Sequence, residues 1–262
     1  MKNQILISGD SWTAGSRSYR EMKNKILISG DSWTTVDGVY IQETQLNAWP
    51  IWPELIAKKL NMTVKNYGHG GRGNEFIYNQ VIDNYDGEEL IIVLWSHYDR
   101  REFSNYTFLD FTDSNTFFNS FKKTSDVPGA TLSAVSKTQF SDEQYNFNKS
   151  IRWFHAFQNF CEANKIKYIQ AQAFYPTDNI EKWDGLRNFV DSRLLYYINE
   201  DHFLGWPIFR EIGGFTMEDK LDEVDSDQSK LRVDFPKDPH PNEEGHKYMA
   251  ELIYKFYKGL YA

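Results

Sequence analysis

The chain has 262 residues, 29 of them basic and 37 acidic, for a formal net charge of −8; 40% are apolar and 16% aromatic. That aromatic content can build a sizeable core and excludes a chain disordered throughout. The acidic balance argues against binding nucleic acid by neutralising phosphates.

The longest apolar runs, such as Leu90–Trp95, fall far short of the ~20 residues that span a bilayer. The N-terminus lacks the form of a signal peptide, because Ile5–Ile7 lead directly into a polar Gly9-Asp10. The expectation is a protein with no nucleic-acid and no membrane partner, in the cytoplasm or an unassigned compartment. A single cysteine, Cys161, rules out an intrachain disulfide and reads as a buried structural thiol.

Residues 1–13, MKNQILISGDSWT, recur at 22–34 as MKNKILISGDSWT. The first copy, with Ser11, leads only into the polar stretch Ala14–Glu21. Residues 1–21 are therefore expected to be an appendage and 22–262 the working domain. Lys25–Ser29 reads as a buried strand feeding a tight turn. A helix is expected at Trp52–Leu60, with Pro53 in its first turn and apolar residues mainly on one face. Thr63–Tyr67 reads as a second strand, closed by Gly68, Gly70, Gly71 and Gly73, before a helix capped by Asn74.

The unbroken apolar run Glu89–Trp95 fits a parallel strand covered on both faces. Patterning then lapses, and an insertion is expected at about 99–145. A long helix at 146–164, a strand at Tyr168–Phe174 and a helix near 186–198 follow. An exposed acidic run at Glu218–Asp227 precedes a last helix starting near Asn242. Strand–helix alternation over this length predicts a doubly wound parallel sheet in a three-layer α/β/α sandwich.

In an open parallel sheet, reactive groups gather at the carboxyl ends of the strands. The first strand ends in Gly30-Asp31-Ser32-Trp33 and the third in Trp95-Ser96-His97-Tyr98-Asp99-Arg100; Asp238-Pro239-His240-Pro241 precedes the last helix. A serine just past a strand can act as nucleophile and offer its own N–H to an oxyanion. Glycines let a second N–H approach with no Cβ in the way. His240 can take the serine proton while Asp238 orients the ring. Taken singly, each segment is an ordinary turn or loop; together, at strand ends, they point to acyl transfer. His240, His246 and Asp238 match no zinc spacing, so no metal and no cofactor are expected, and His246 reads as a packing residue.

These blocks, in this order, resemble the SGNH/GDSL hydrolases, including forms found in bacteria and phages. SGDSWT at 29–34 resembles the first block, with Ser32 as nucleophile. Ala48-Trp49-Pro50 through Leu60 and then Val64–Gly68 resemble the first helix and second strand. Gly71-Arg72-Gly73-Asn74 resembles the second block, and DPHPNEEGH at 238–246 the last. The resemblance covers roughly Lys25–Tyr98 and Arg232–Tyr257. It implies a flavodoxin-like fold and cofactor-free hydrolysis of a carboxylic ester by Ser32, His240 and Asp238. The oxyanion hole would come from Ser32 and Gly71, and substrate contacts from Trp33, Arg72 and Asn74. The substrate would be a small-molecule or glycan ester, with acetylated carbohydrate as the implied class.

Two departures stand out. Trp95-Ser96-His97 occupies the place of the family's Gly-x-Asn, so His97 or Ser96 would have to supply that donor. The family's Asp-x-x-His is here Asp238-x-His240, with Lys237 at the other spacing. They motivate a second expectation, a non-catalytic binding, virion or structural protein on the same fold. Acyl transfer to a sugar hydroxyl in place of water is a third. The oligomeric state stays open.

Overall fold

A computed structural model describes residues 24–34, 49–70, 72–98, 100–103, 106–109, 143–176 and 182–262. The expected appendage at 1–21, with Ser11, lies outside the described residues, as do Gly71, Asp99 and most of the expected insertion.

Strands β1 (Lys25–Gly30), β2 (Thr63–Asn66), β3 (Leu90–Trp95), β6 (Lys167–Gln172) and β7 (Phe203–Leu204) form one sheet in the order β2-β1-β3-β6-β7. Every pairing in it is parallel. Successive side chains on a strand face opposite sides, so a strand covered on both faces must be apolar at every position. That is what β3 shows: Ile91, Val93 and Trp95 enter one core, and Leu90, Ile92 and Leu94 the other.

Helices α2 (Asn74–Asn84) and α3 (Glu143–Ala163) cover the first face with Ile77, Val81, Phe154 and Phe157. Helices α1 (Trp52–Leu60) and α6 (Glu243–Tyr261) cover the second with Trp52, Ile56, Met249 and Ile253. Each such side chain, fully buried, contributes about 1.5–3 kcal/mol. Among polar atoms in this core, Trp95 Nε1–H donates to Gln170 Oε1 on the neighbouring strand at 3.0 Å. The result is the expected three-layer α/β/α arrangement.

From β1 the chain crosses to β2 on one side and returns to β3 on the other. The carboxyl ends of β1 and β3 therefore flank a switch point, where a crevice opens. Gly30 ends β1 in register with Leu94. A Cβ at Gly30 would strike the Thr34 side chain, in a turn that closes with Thr34 N–H donating to the Asp31 carbonyl at 2.9 Å. Only glycine fits there.

Several elements differ from expectation. Asn74 is the first residue of α2 and Gly73 is its N-cap, so the asparagine side chain does not cap the helix. The helix expected at 186–198 splits into α4 (Lys182–Val190) and a 3-10 turn at Arg193–Tyr197. The acidic run is not an exposed strip. It forms α5 (Met217–Val224), started by a Thr216–Asp219 capping box and anchored by buried Met217 and Leu221.

The Asp-Pro-His-Pro segment is not a loop but β9 (Asp238–Pro241), paired antiparallel with β8 (Arg232–Asp234). Within the expected insertion, β4 (Arg101–Phe103) and β5 (Tyr106–Leu109) pair as a separate antiparallel sheet. Cys161 is buried in α3, and burial pushes its thiol well above the ordinary range. Among the described residues, no helix is long and apolar enough to cross a membrane.

Candidate active site

Ser32 follows β1, and His240 lies on β9, 208 residues away in sequence; His240 Nε2 is 2.9 Å from Ser32 Oγ. On its other side, His240 Nδ1 is 2.6 Å from Asp238 Oδ1. A carboxylate only accepts, so Nδ1 carries the proton and Nε2 is the lone-pair nitrogen that receives the Ser32 hydroxyl. Residues i and i+2 of an extended strand share a face, which explains why Asp-x-His spacing suffices here. The same Asp238 Oδ1 also accepts the His240 backbone N–H at 3.0 Å, fixing the strand as well as the ring. Asp238 is shielded while His240 retains 19% side-chain exposure, so the base reaches the cleft and its orienting acid does not.

The nucleophile turn is held by a buried ion pair. Asp31 is fully buried; its Oδ1 accepts the Trp33 N–H at 3.0 Å, and its Oδ2 meets Arg100 Nη1 at 3.2 Å. Burial raises the Asp31 pKa above the usual carboxylate range, with the Arg100 charge opposing it. Arg100 Nη1 also donates to Ser96 Oγ at 2.8 Å, so the ends of β1 and β3 are tied through one guanidinium. Ser96 N–H donates to Asn74 Oδ1 at 2.8 Å, and Asn74 Nδ2 donates to Ser150 Oγ at 3.0 Å, joining α2, the end of β3 and α3. Gln172 Nε2 donates to the Ser96 carbonyl at 2.9 Å.

A cleft of about 210 Å³ opens above Ser32, walled by Trp33, His97, Arg100, Phe174, Glu218, Pro239 and His240. Phe174 is its apolar centre: the His97 ring lies 4.0 Å from it, the Arg100 guanidinium 4.9 Å and the Trp33 ring 5.8 Å. Burial, with the Arg100 charge, pushes His97 well below the ordinary histidine range, while a hydrogen bond with the Pro176 backbone acts in the other direction. His97 is therefore a neutral ring at pH 7. Behind the hairpin, Arg232 Nη1 donates to the Pro239 carbonyl at 2.9 Å and Nη2 to Asp222 Oδ1 at 2.7 Å, with its guanidinium 4.9 Å from the Trp33 ring. One buried arginine thus touches the segments carrying both base and nucleophile.

The structure brings together Ser32, His240, Asp238, Trp33 and His97. It places Ser96 and Asn74 elsewhere: their polar atoms bond to one another and to Arg100, Gln172 and Ser150, and they line a second, smaller cavity. Arg72 stacks on Phe76 at 4.5 Å and donates to His69 at 3.4 Å, and it is not among the residues that wall the cleft. Gly71 lies outside the described residues. His246 packs under the site, its Nδ1 accepting the Trp52 N–H at 3.4 Å, and burial lowers its pKa to about 3. Among the described residues, no group of three His, Cys, Asp or Glu is placed to hold a metal.

No family model matches the chain, and no curated protein does. Solved structures are similar at low identity. An α/β hydrolase enzyme from the metagenome of Lake Arreo, Spain, is 14% identical at a TM-score of 0.49, over 92% of this chain and 97% of that one. The lipase/acylhydrolase from Enterococcus faecalis is 11% identical at 0.45, over 90% and 96%. A catalytic mutant of an acetylxylan esterase from Geobacillus stearothermophilus is 11% identical at 0.45, over 89% and 93%. The likeness concerns the course of the chain, and the chemistry rests on the side chains described above.

Phe174, Glu218 and Arg232 are parts of the site that the sequence did not mark, and Arg100 was read at the end of the third block with no role assigned. Arg100 had a signal, a cation closing the third block opposite a buried acid beside Ser32. Glu218 and Arg232 had none, because their partners come from elements without a pattern.

Proposed function

We propose that the protein hydrolyses carboxylic esters through a Ser32 acyl-enzyme. The observation that carries this reading is the continuous chain from Ser32 Oγ through His240 to Asp238, at 2.9 and 2.6 Å. Ser32 Oγ attacks the ester carbonyl as His240 Nε2 takes its proton. Asp238 holds the imidazole in the required tautomer and stabilises the imidazolium that forms. The Ser32 N–H, with the Gly71 N–H that the family resemblance assigns, receives the developing oxyanion. The tetrahedral intermediate expels the alcohol, which takes the proton from His240. Water, deprotonated by the same His240, then attacks the acyl-enzyme, and collapse returns the proton to Ser32 and releases the acid.

No cofactor enters this cycle. A cleft of about 210 Å³ walled by Trp33, His97 and Phe174 favours a short acyl group such as acetyl. The test is hydrolysis of p-nitrophenyl acetate by the wild type and by Ser32→Ala. The reading expects Ser32→Ala to lose activity by about 10⁴-fold or more. Equal rates would leave a binding protein on this fold as the better account.

A further inference from the structure

We infer that Glu218 sets the substrate class of this site: it selects neutral esters carrying a hydroxyl near the carbonyl and turns away anionic ones. This deepens the esterase reading and rests on it. Glu218 sits in the first turn of α5. Its backbone N–H donates to the Ala173 carbonyl at 2.9 Å, and its Oε2 accepts the Tyr175 N–H at 3.2 Å. Those two bonds fix the start of α5 beside Phe174, so that Glu218 walls the same cleft as Ser32 and His240.

A carboxylate offers about four acceptor positions, and a substrate hydroxyl can occupy those that water would otherwise fill. Burial raises the Glu218 pKa, and Asp222 and Asp219 add to the rise while the Tyr175 N–H and Arg232 oppose it.

The other charged groups around the cleft each have a bonded partner. Arg100 faces Asp31 at 3.2 Å, Arg232 faces Asp222 at 2.7 Å, and Asp238 is bonded to His240 at 2.6 Å. Glu218 is left as the cleft-lining carboxylate with no ion-pair partner among the described residues. Its negative field opposes an anionic acyl or alcohol group and strengthens a hydrogen bond from a neutral donor.

The experiment measures kcat/KM for wild type and Glu218→Gln on ethyl acetate, 2-hydroxyethyl acetate, ethyl glycolate and ethyl hydrogen succinate. Taking the wild-type to variant ratio for each ester cancels its intrinsic reactivity. Glutamine retains the shape and the acceptor for Tyr175, and a thermal melt of each variant checks the fold. The expected ratio for one hydroxyl ester exceeds that for ethyl acetate by about tenfold. Whether it is the hydroxyethyl or the glycolate ester identifies the side of the carbonyl that Glu218 reads.

For the succinate half-ester the expected ratio falls below that of ethyl acetate, because removing the charge admits the anion. Glu218→Met, which removes the acceptor altogether, widens the hydroxyl difference. Equal ratios for all four esters, with hydrolysis still dependent on Ser32, would overturn the role of Glu218 and leave the esterase reading standing. Wild-type protein that cleaves none of them would overturn both.

Discussion

Replacing Arg100 with methionine removes the cation from a pair whose acid, Asp31, is fully buried and whose arginine side chain is 11% exposed. At 3.2 Å, the Coulomb attraction is about 5 kcal/mol for an effective dielectric of ~20. Measured losses from breaking buried pairs run at about 3–5 kcal/mol, mostly because the abandoned charge has no water. We expect about that loss at pH 7.5.

The pH dependence follows from Asp31, whose folded pKa already lies above its ordinary value through burial, with Arg100 holding it down. A raised carboxyl favours folding fully below its unfolded pKa, near 3.8, and that favour is lost as pH rises through the folded pKa. Without Arg100 the folded pKa climbs further, so the variant's deficit is largest at pH 7.5 and shrinks at pH 4.5.

Urea denaturation at both pH values, for Arg100→Met, Asp31→Asn and the double variant, measures this directly. The double variant should be more stable than Arg100→Met alone, since no unpaired carboxylate remains. An Arg100→Met cost under about 1 kcal/mol that is the same at both pH values would refute the reasoning. So would double-variant losses that simply add.

Three further outcomes are expected. Asp238→Asn preserves the outline of the dyad but not its charge or the His240 tautomer, so kcat should fall by about 10³–10⁴ with little change in KM; steady-state kinetics on p-nitrophenyl acetate decide it. His246, lowered by burial to about 3, favours the folded state above its ordinary 6.5 and loses that contribution as pH falls toward 3. Wild type should lose about 2 kcal/mol more than His246→Asn between pH 6.5 and 5, read from denaturation at each pH. Arg232→Met strips the Pro239 carbonyl of its donor and Asp222 of its cation, leaving Asp222 Oδ1 the Gln228 amide; stability should fall by about 1–3 kcal/mol and kcat about tenfold or more as His240 loses its fixed position, checked by melting and kinetics together.

The sheet was legible because its strands are buried on both faces. The run Leu90–Trp95 cannot be anything half-exposed, and Lys25–Ser29 leads into a turn that only Gly30 fits. Helix α1 could be read to its ends from Pro53 and the spacing of Trp52, Ile56 and Ala57. Ser32, Asp238 and His240 were legible as chemistry, the first as a serine past a strand and the others as an acid two residues before a histidine.

What stayed hidden depends on pairing. Phe203–Leu204 forms a strand of two residues and carries no period. Helix α5 shows two buried apolar residues, Met217 and Leu221, within an acidic run, so Glu218 looked like surface. Asn74 looked free to meet substrate, yet Ser96 and Ser150 claim its side chain from 22 and 76 residues away. No local pattern marks such bonds.

The central claim is that Ser32 is an activated nucleophile held by His240. Treating the protein with a fluorophosphonate and mapping the adduct by peptide mass spectrometry tests it most directly. The account predicts a single adduct on Ser32, absent in Ser32→Ala and much slower to form in His240→Ala. No adduct on the wild type, or an adduct that forms as fast without His240, would contradict it.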